Sequence, residues 1–117
     1  MELTGKIEDS SDVVACYTFL ARLLYKQALN TRLDAHTKKC CQIKGDEVDK
    51  IAEHLALEQV DATTVAFNDA VAKLKPEIEK LQAEKDKLDQ IALATTAVLD
   101  ILTITEEFIA LAAAFAP

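Results

Sequence analysis

Apolar side chains recur along this chain at helical spacing with few interruptions. A first helix is predicted over residues 10–44. Asp9-Ser10-Ser11-Asp12 supplies side-chain oxygens and early negative charge for the unpaired amides of a helix start. No breaker follows until Gly45. Lys38, Lys39 and Lys44 crowd the last turns, as the helix dipole prefers, and Gly45 offers a left-handed terminating residue. From Val13 to Ala28 the apolar positions (Val13, Val14, Cys16, Tyr17, Phe19, Leu20, Leu23, Leu24, Tyr25, Ala28) point nearly all round, as expected of a helix covered from more than one side. Beyond them a single seam remains, Leu29, Leu33, His36, Cys40 and Ile43, in steps of four and three. At 1.5 Å per residue such a helix is about 50 Å long.

A shorter helix over 46–59, capped by Asp46, turns Val48, Ile51 and Leu55 inward. Its pattern does not join the next one. From Val60 the positions Thr64, Phe67, Val71, Leu74, Ile78, Leu81, Lys85, Leu88, Ala92, Thr95, Leu99, Leu102, Glu106, Ile109, Ala113 and Ala116 keep a four-three alternation, with Lys85 and Glu106 discordant. Asp61-Ala62-Thr63-Thr64 offers a start for this helix. The register runs through Pro76, which falls off the seam, so one long helix over 62–115, bent near residues 72–76, is preferred to a separate turn. The expected fold is therefore all-α: a single domain over 1–117, an elongated helical hairpin or bundle of two very long helices and one shorter helix with coiled-coil-like packing.

Helices of about 50 Å and up to about 80 Å cannot close their seams inside so small a globule. A protein partner or a second copy is expected to cover the remainder. The expected function is a non-catalytic helical interaction or self-assembly module. Its interface residues are Leu29, Leu33, Cys40 and Ile43 on one seam and Leu74, Ile78, Leu81, Leu88, Leu99, Leu102 and Ile109 on the other.

Composition narrows the choices further. Half of the 117 residues are apolar but only 5% are aromatic, with 19 Ala, 15 Leu, two Gly and two Pro, so a sandwich or barrel that turns every ten residues or so is excluded. With glycine only at Gly5 and Gly45, no phosphate cradle, dinucleotide fingerprint or nucleophile elbow can be written. The net charge of −7 opposes a general affinity for nucleic acid. Charge is also segregated. Residues 1–45 carry seven basic side chains, Lys6 and Arg32 among them, against five acidic, whereas residues 46–117 carry six against fifteen. The basic half is expected to lie beside the acidic remainder. Met1 to Asp9 has neither a basic nor an apolar signal region, and three cysteines, two of them adjacent, fit a reducing compartment, so a cytoplasmic location is expected.

Candidate chemistry is sparse. His36 and Cys40 stand four apart on one helical face, a spacing at which two side chains can share a metal, with Cys41 and Cys16 as further thiols. Two ligands do not complete a zinc site, and core packing is the favoured reading; a thiol or metal site at His36/Cys40/Cys41 is a lesser alternative. His54 has Glu53 and Glu58 beside it, but Ile51 and Leu33 stand where a Glu-x-x-His di-iron motif needs glutamates. No catalytic residue, cofactor, resident metal or small-molecule substrate is therefore expected. Residues 91–117 carry only three charges, Asp100, Glu106 and Glu107. This run suggests the alternative of a soluble subunit whose C-terminal helix enters a membrane as an oligomer, the acids facing a lumen.

Overall fold

Asp9 accepts the amide of Asp12 at 3.2 Å while the Asp12 carboxylate accepts the amide of Asp9, a reciprocal cap that starts α1 (Ser10–Ala28) where expected. The computed structural model describes residues 7–58 and 62–115. Gly5, Lys6, Val60, Asp61 and Ala116, all used in the sequence reading, lie outside the described residues. Three further α-helices follow, α2 (Ala35–Glu58), α3 (Val65–Lys87) and α4 (Ala94–Phe115), with a short 3-10 turn at Ile91–Leu93. The all-α class holds; the two very long helices do not.

The first expected helix breaks after Ala28. Leu29 and Asn30 donate three residues back, to Lys26 and Gln27, which tightens the last turn. The Asn30 side chain then accepts the amide of Arg32 and donates to Gln27 Oε1. Asp34 accepts the amide of Thr37 at 2.6 Å and starts α2 afresh. Gly45 is accordingly no terminator. It lies buried in the middle of α2, where a Cβ would stand 2.9 Å from Tyr25 Cε1 and 3.5 Å from Leu24 Cβ, so its smallness admits α1 to close approach. The expected short helix over 46–59 is, as far as the described residues go, the C-terminal half of α2, which is described to Glu58.

The second long helix is also two. Thr64 caps α3, its hydroxyl accepting the Phe67 amide at 3.1 Å, and the helix continues through Pro76. It ends instead where Leu88 and Gln90 bond back three residues to Lys85 and Lys87, cations suited to a helix C-terminus. The chain then reverses, and α4 folds back on α3. This hairpin buries within the chain the seam that a single long rod would have left open. The expected inward positions Phe67, Val71, Leu74, Ile78 and Leu81 are all buried on α3. On α4 the inward series falls one residue earlier than expected: Ala94, Val98, Ile101, Thr105, Phe108 and Phe115, flanked by Ala97 and Ile104. The discordant Glu106 is thereby exposed, and Thr105 takes its place inside with its hydroxyl bonded to the Ile101 carbonyl at 2.8 Å.

Two helical hairpins, α1–α2 and α3–α4, meet through α4, which packs on both α2 and α1. Tyr17, Phe67, Phe108 and Phe115 join them, with ring centroids 5.2 Å apart for Tyr17–Phe108, 6.3 Å for Tyr17–Phe115 and 5.5 Å for Phe67–Phe115. The Tyr17 hydroxyl donates to the buried carbonyl of Phe108. The radius of gyration is 14.0 Å and the extents are 43 × 22 × 21 Å. A compact chain of this length has a radius near 13 Å, so the expected hairpin or bundle of two very long helices is instead a bundle of four shorter ones, about twice as long as it is wide. Its accessible surface is 6783 Å², against about 6300 Å² for an average monomer of this mass. Seam length alone therefore does not require a partner.

Leu81, wholly buried, should cost about 2–4 kcal/mol when truncated to Ala, read by chemical denaturation. Gly45→Ala should displace the Tyr25 ring and break its 2.7 Å hydrogen bond to Asp46. That bond, then exclusion from water, then nearby carboxylates raise the Tyr25 phenol to about 12. In the variant the phenol should titrate closer to 10, followed by ultraviolet absorbance. Because a raised acid pKa favours the fold below the unfolded value, the wild type should lose this contribution between about pH 10 and 12, and the variant should not.

Candidate functional site

The C-terminal half of α2 presents two kinds of residue toward α4. Leu55 is fully buried and Ile51 half-buried, while Lys50 and His54, on the outer side of the same turns, are exposed. Opposite them α4 offers only Ala112 and Ala113. Two methyl groups facing Ile51 and Leu55 leave a mainly apolar groove of about 290 Å³, with Lys50 and His54 at its rim. His54 Nε2 lies 3.8 Å from Glu58 Oε1, one turn further along α2. Leu57, on the last turn of α2, and Val65, at the start of α3, are exposed.

A second depression, between α3 and α4, is acidic: Glu77, Glu84, Asp100 and Glu107 line it with Lys80, Thr103 and Ile104. Lys80 pairs with Glu77 at 3.1 Å and Lys87 with Glu84 at 3.0 Å. Of the basic half, Lys44 reaches the acidic remainder, bridging to Glu106 on α4 at 2.7 Å and to Glu47 at 3.3 Å. These bonds outweigh desolvation and hold its ammonium above the ordinary lysine range.

The residues expected at an interface separate into distinct settings. Leu74, Ile78 and Leu81 are buried in the chain's own core, and Leu33 is buried beneath the turn that precedes α2. Leu88, Leu102 and Ile109 are partly buried and packed against that core. Leu29, Ile43 and Leu99 are exposed, and Cys40 is intermediate. Leu29 and Leu88 meet at a polar hollow where the two hairpin turns approach each other, beside Lys26, Arg32 and Asp89. Sequence spacing puts Ala113 on the extrapolated seam but not among the interface residues, and it passes over Ala112. The one available signal is the alanine run 112–114 in an otherwise bulky apolar helix.

His36 and Cys40 are brought together on the outer face of α2, Cys40 Sγ lying 3.7 Å from His36 Nε2. Cys41 faces the core and Cys16 is buried in α1, so neither joins them. Burial pushes both of those thiols up to about 11. Among the described residues no group of three or more His, Cys, Asp or Glu side chains converges on a metal-sized site. Nor is any helix among the described residues long and apolar enough to cross a membrane. The apolar face of α4 is instead spent on the core through Ile101, Phe108 and Phe115. Comparison with protein families, curated proteins and solved structures finds no match to this chain.

A thiol at pKa about 11 is roughly 10⁻⁴ thiolate at pH 7, and burial blocks access as well. The folded chain should thus take up one maleimide, at Cys40, and all three only after unfolding. Intact mass before and after denaturant reads the difference.

Proposed function

We propose that this chain is a non-catalytic helical interaction module that lays an apolar stripe of a partner helix into the α2–α4 groove. The observation that carries this reading is the groove itself, a mainly apolar trough between two helices rimmed by His54 and Lys50. Amphipathic helices bind such troughs by setting side chains three and four residues apart into them. The groove walls also belong to helices already locked by Leu55 and Phe115, so binding would order little of the chain.

A photo-crosslinking amino acid at Ala113, introduced in the native host, should give one discrete adduct, and the same group at exposed Glu79 should not. Ala113→Glu places a charge in the trough at an exposed position. It should abolish partner capture while changing stability by under about 0.5 kcal/mol. Capture that survives Ala113→Glu would remove the groove from the function.

A further inference from the structure

His36, Cys40 and Ile43 form a stripe on the outer face of α2, away from the residues that α2 turns to the core. Ile43 is 53% exposed, and Leu29, in the turn that leads to α2, is 83% exposed. Within this stripe the imidazole and the thiol stand 3.7 Å apart, nitrogen to sulfur. A tetrahedral zinc ion with Zn–S near 2.3 Å and Zn–N near 2.05 Å holds its sulfur and nitrogen ligands about 3.6 Å apart. The pair therefore already has the bite of two corners of a zinc tetrahedron. The helix sets this separation because residues four apart lie one above the other on the same face.

Two ligands are half a coordination shell, and no third His, Cys, Asp or Glu joins them among the described residues. A second copy of the same pair would supply the other half in the same geometry. We propose that His36 and Cys40 form a zinc half-site that a second copy of this chain completes, giving one His₂Cys₂ ion on a two-fold axis between two α2 helices. A two-fold axis presents the same patch from both copies, which is what doubling this pair requires. With the helices antiparallel about that axis, Ile43 of each copy, three residues past Cys40, lies at the edge of the contact and loses exposure there. Each Cys40 gives up its thiol proton to the buffer and binds as thiolate; each His36 binds as the neutral imidazole. Lys44, one turn past Cys40, does not oppose the ion freely, because Glu47 and Glu106 hold it.

The proposal does not depend on what occupies the α2–α4 groove, and Ala113→Glu should leave it untouched. The full chain, reduced and freed of metal, is titrated with zinc alone while its mass is followed by light scattering and native mass spectrometry. Expected are half an equivalent of zinc per chain and a doubling of mass. Cobalt in place of zinc should give the intense visible bands and thiolate charge transfer of a tetrahedral S₂N₂ site. His36→Ala and Cys40→Ser, both outside the core, should each abolish the doubling and the cobalt spectrum while leaving the melting curve of the metal-free chain unchanged. Ile43→Ser leaves the ligand set unchanged and should weaken the doubling at least tenfold. Zinc bound without a change in mass, doubling that survives either ligand variant, assembly beyond two chains, or no zinc uptake would each overturn the proposal.

Discussion

The bundle depends on one aromatic joint. Four of the chain's six aromatic side chains, Tyr17, Phe67, Phe108 and Phe115, come from α1, α3 and α4 and meet where neither hairpin alone could bury them. Such ring pairs contribute about 0.5–1.5 kcal/mol each beyond the area they bury. Their greater consequence is geometric. Phe108 and Phe115 are seven residues apart, two turns of one helical face, so inserting both fixes the rotation of α4 about its axis. The Tyr17 hydroxyl on the Phe108 carbonyl then fixes where along α4 the first hairpin sits. With α4 so rotated, Thr105 rather than Glu106 must face inward, and a threonine is a side chain that can satisfy its hydroxyl on its own helix. Glu106 is released to the surface, where Lys44 on α2 can reach it. The α2–α4 contact follows from the orientation that the rings impose.

Much of this was legible where a signal is local. The reciprocal cap at Asp9 and Asp12, the Thr64 cap and the α3 seam from Phe67 to Leu81 depend on neighbours within a few turns, and sequence spacing reports such neighbours directly. The two chain reversals were not legible, for opposite reasons. At residues 29–34 the capping residues Asn30 and Asp34 are present, but Leu33 and the apolar steps around it keep helical period across the turn. At residues 88–93 there is no Gly or Pro to mark the reversal, whereas Pro76 draws the eye to a place where the helix runs on. The one-residue offset between the seams of α3 and α4 left a trace in the sequence. Glu106 fell on an extrapolated seam where a carboxylate does not belong, and two phenylalanines lay one position off it. A discordant charge together with displaced rings marks a register that restarts. Gly45 misled because a helical glycine costs about 1 kcal/mol and so suggests an end. Tertiary approach by Leu24 and Tyr25 accounts for it instead, and no single-helix pattern contains that information.

The surface features have the same origin as the fold. In a chain with 19 alanines and two glycines, the distance between two helices is set by which small residues face a large one. At Gly45 the Tyr25 ring stands opposite, takes up the vacant volume and closes α1 onto α2. At Ala112 and Ala113 the opposing residues are Ile51, whose side chain is only half-buried, Leu55, which is buried in the core, and Lys50 and His54, which turn to water. No aromatic ring faces the alanines, so the space between the helices is left unfilled. The groove is thus smallness without a matching ring, at a height where the aromatic joint already fixes the spacing of α4 from the rest. Filling it from within would need a bulkier residue at 112 or 113. A partner's apolar side chain supplies the same volume from outside, without disturbing the four rings on which the bundle is built.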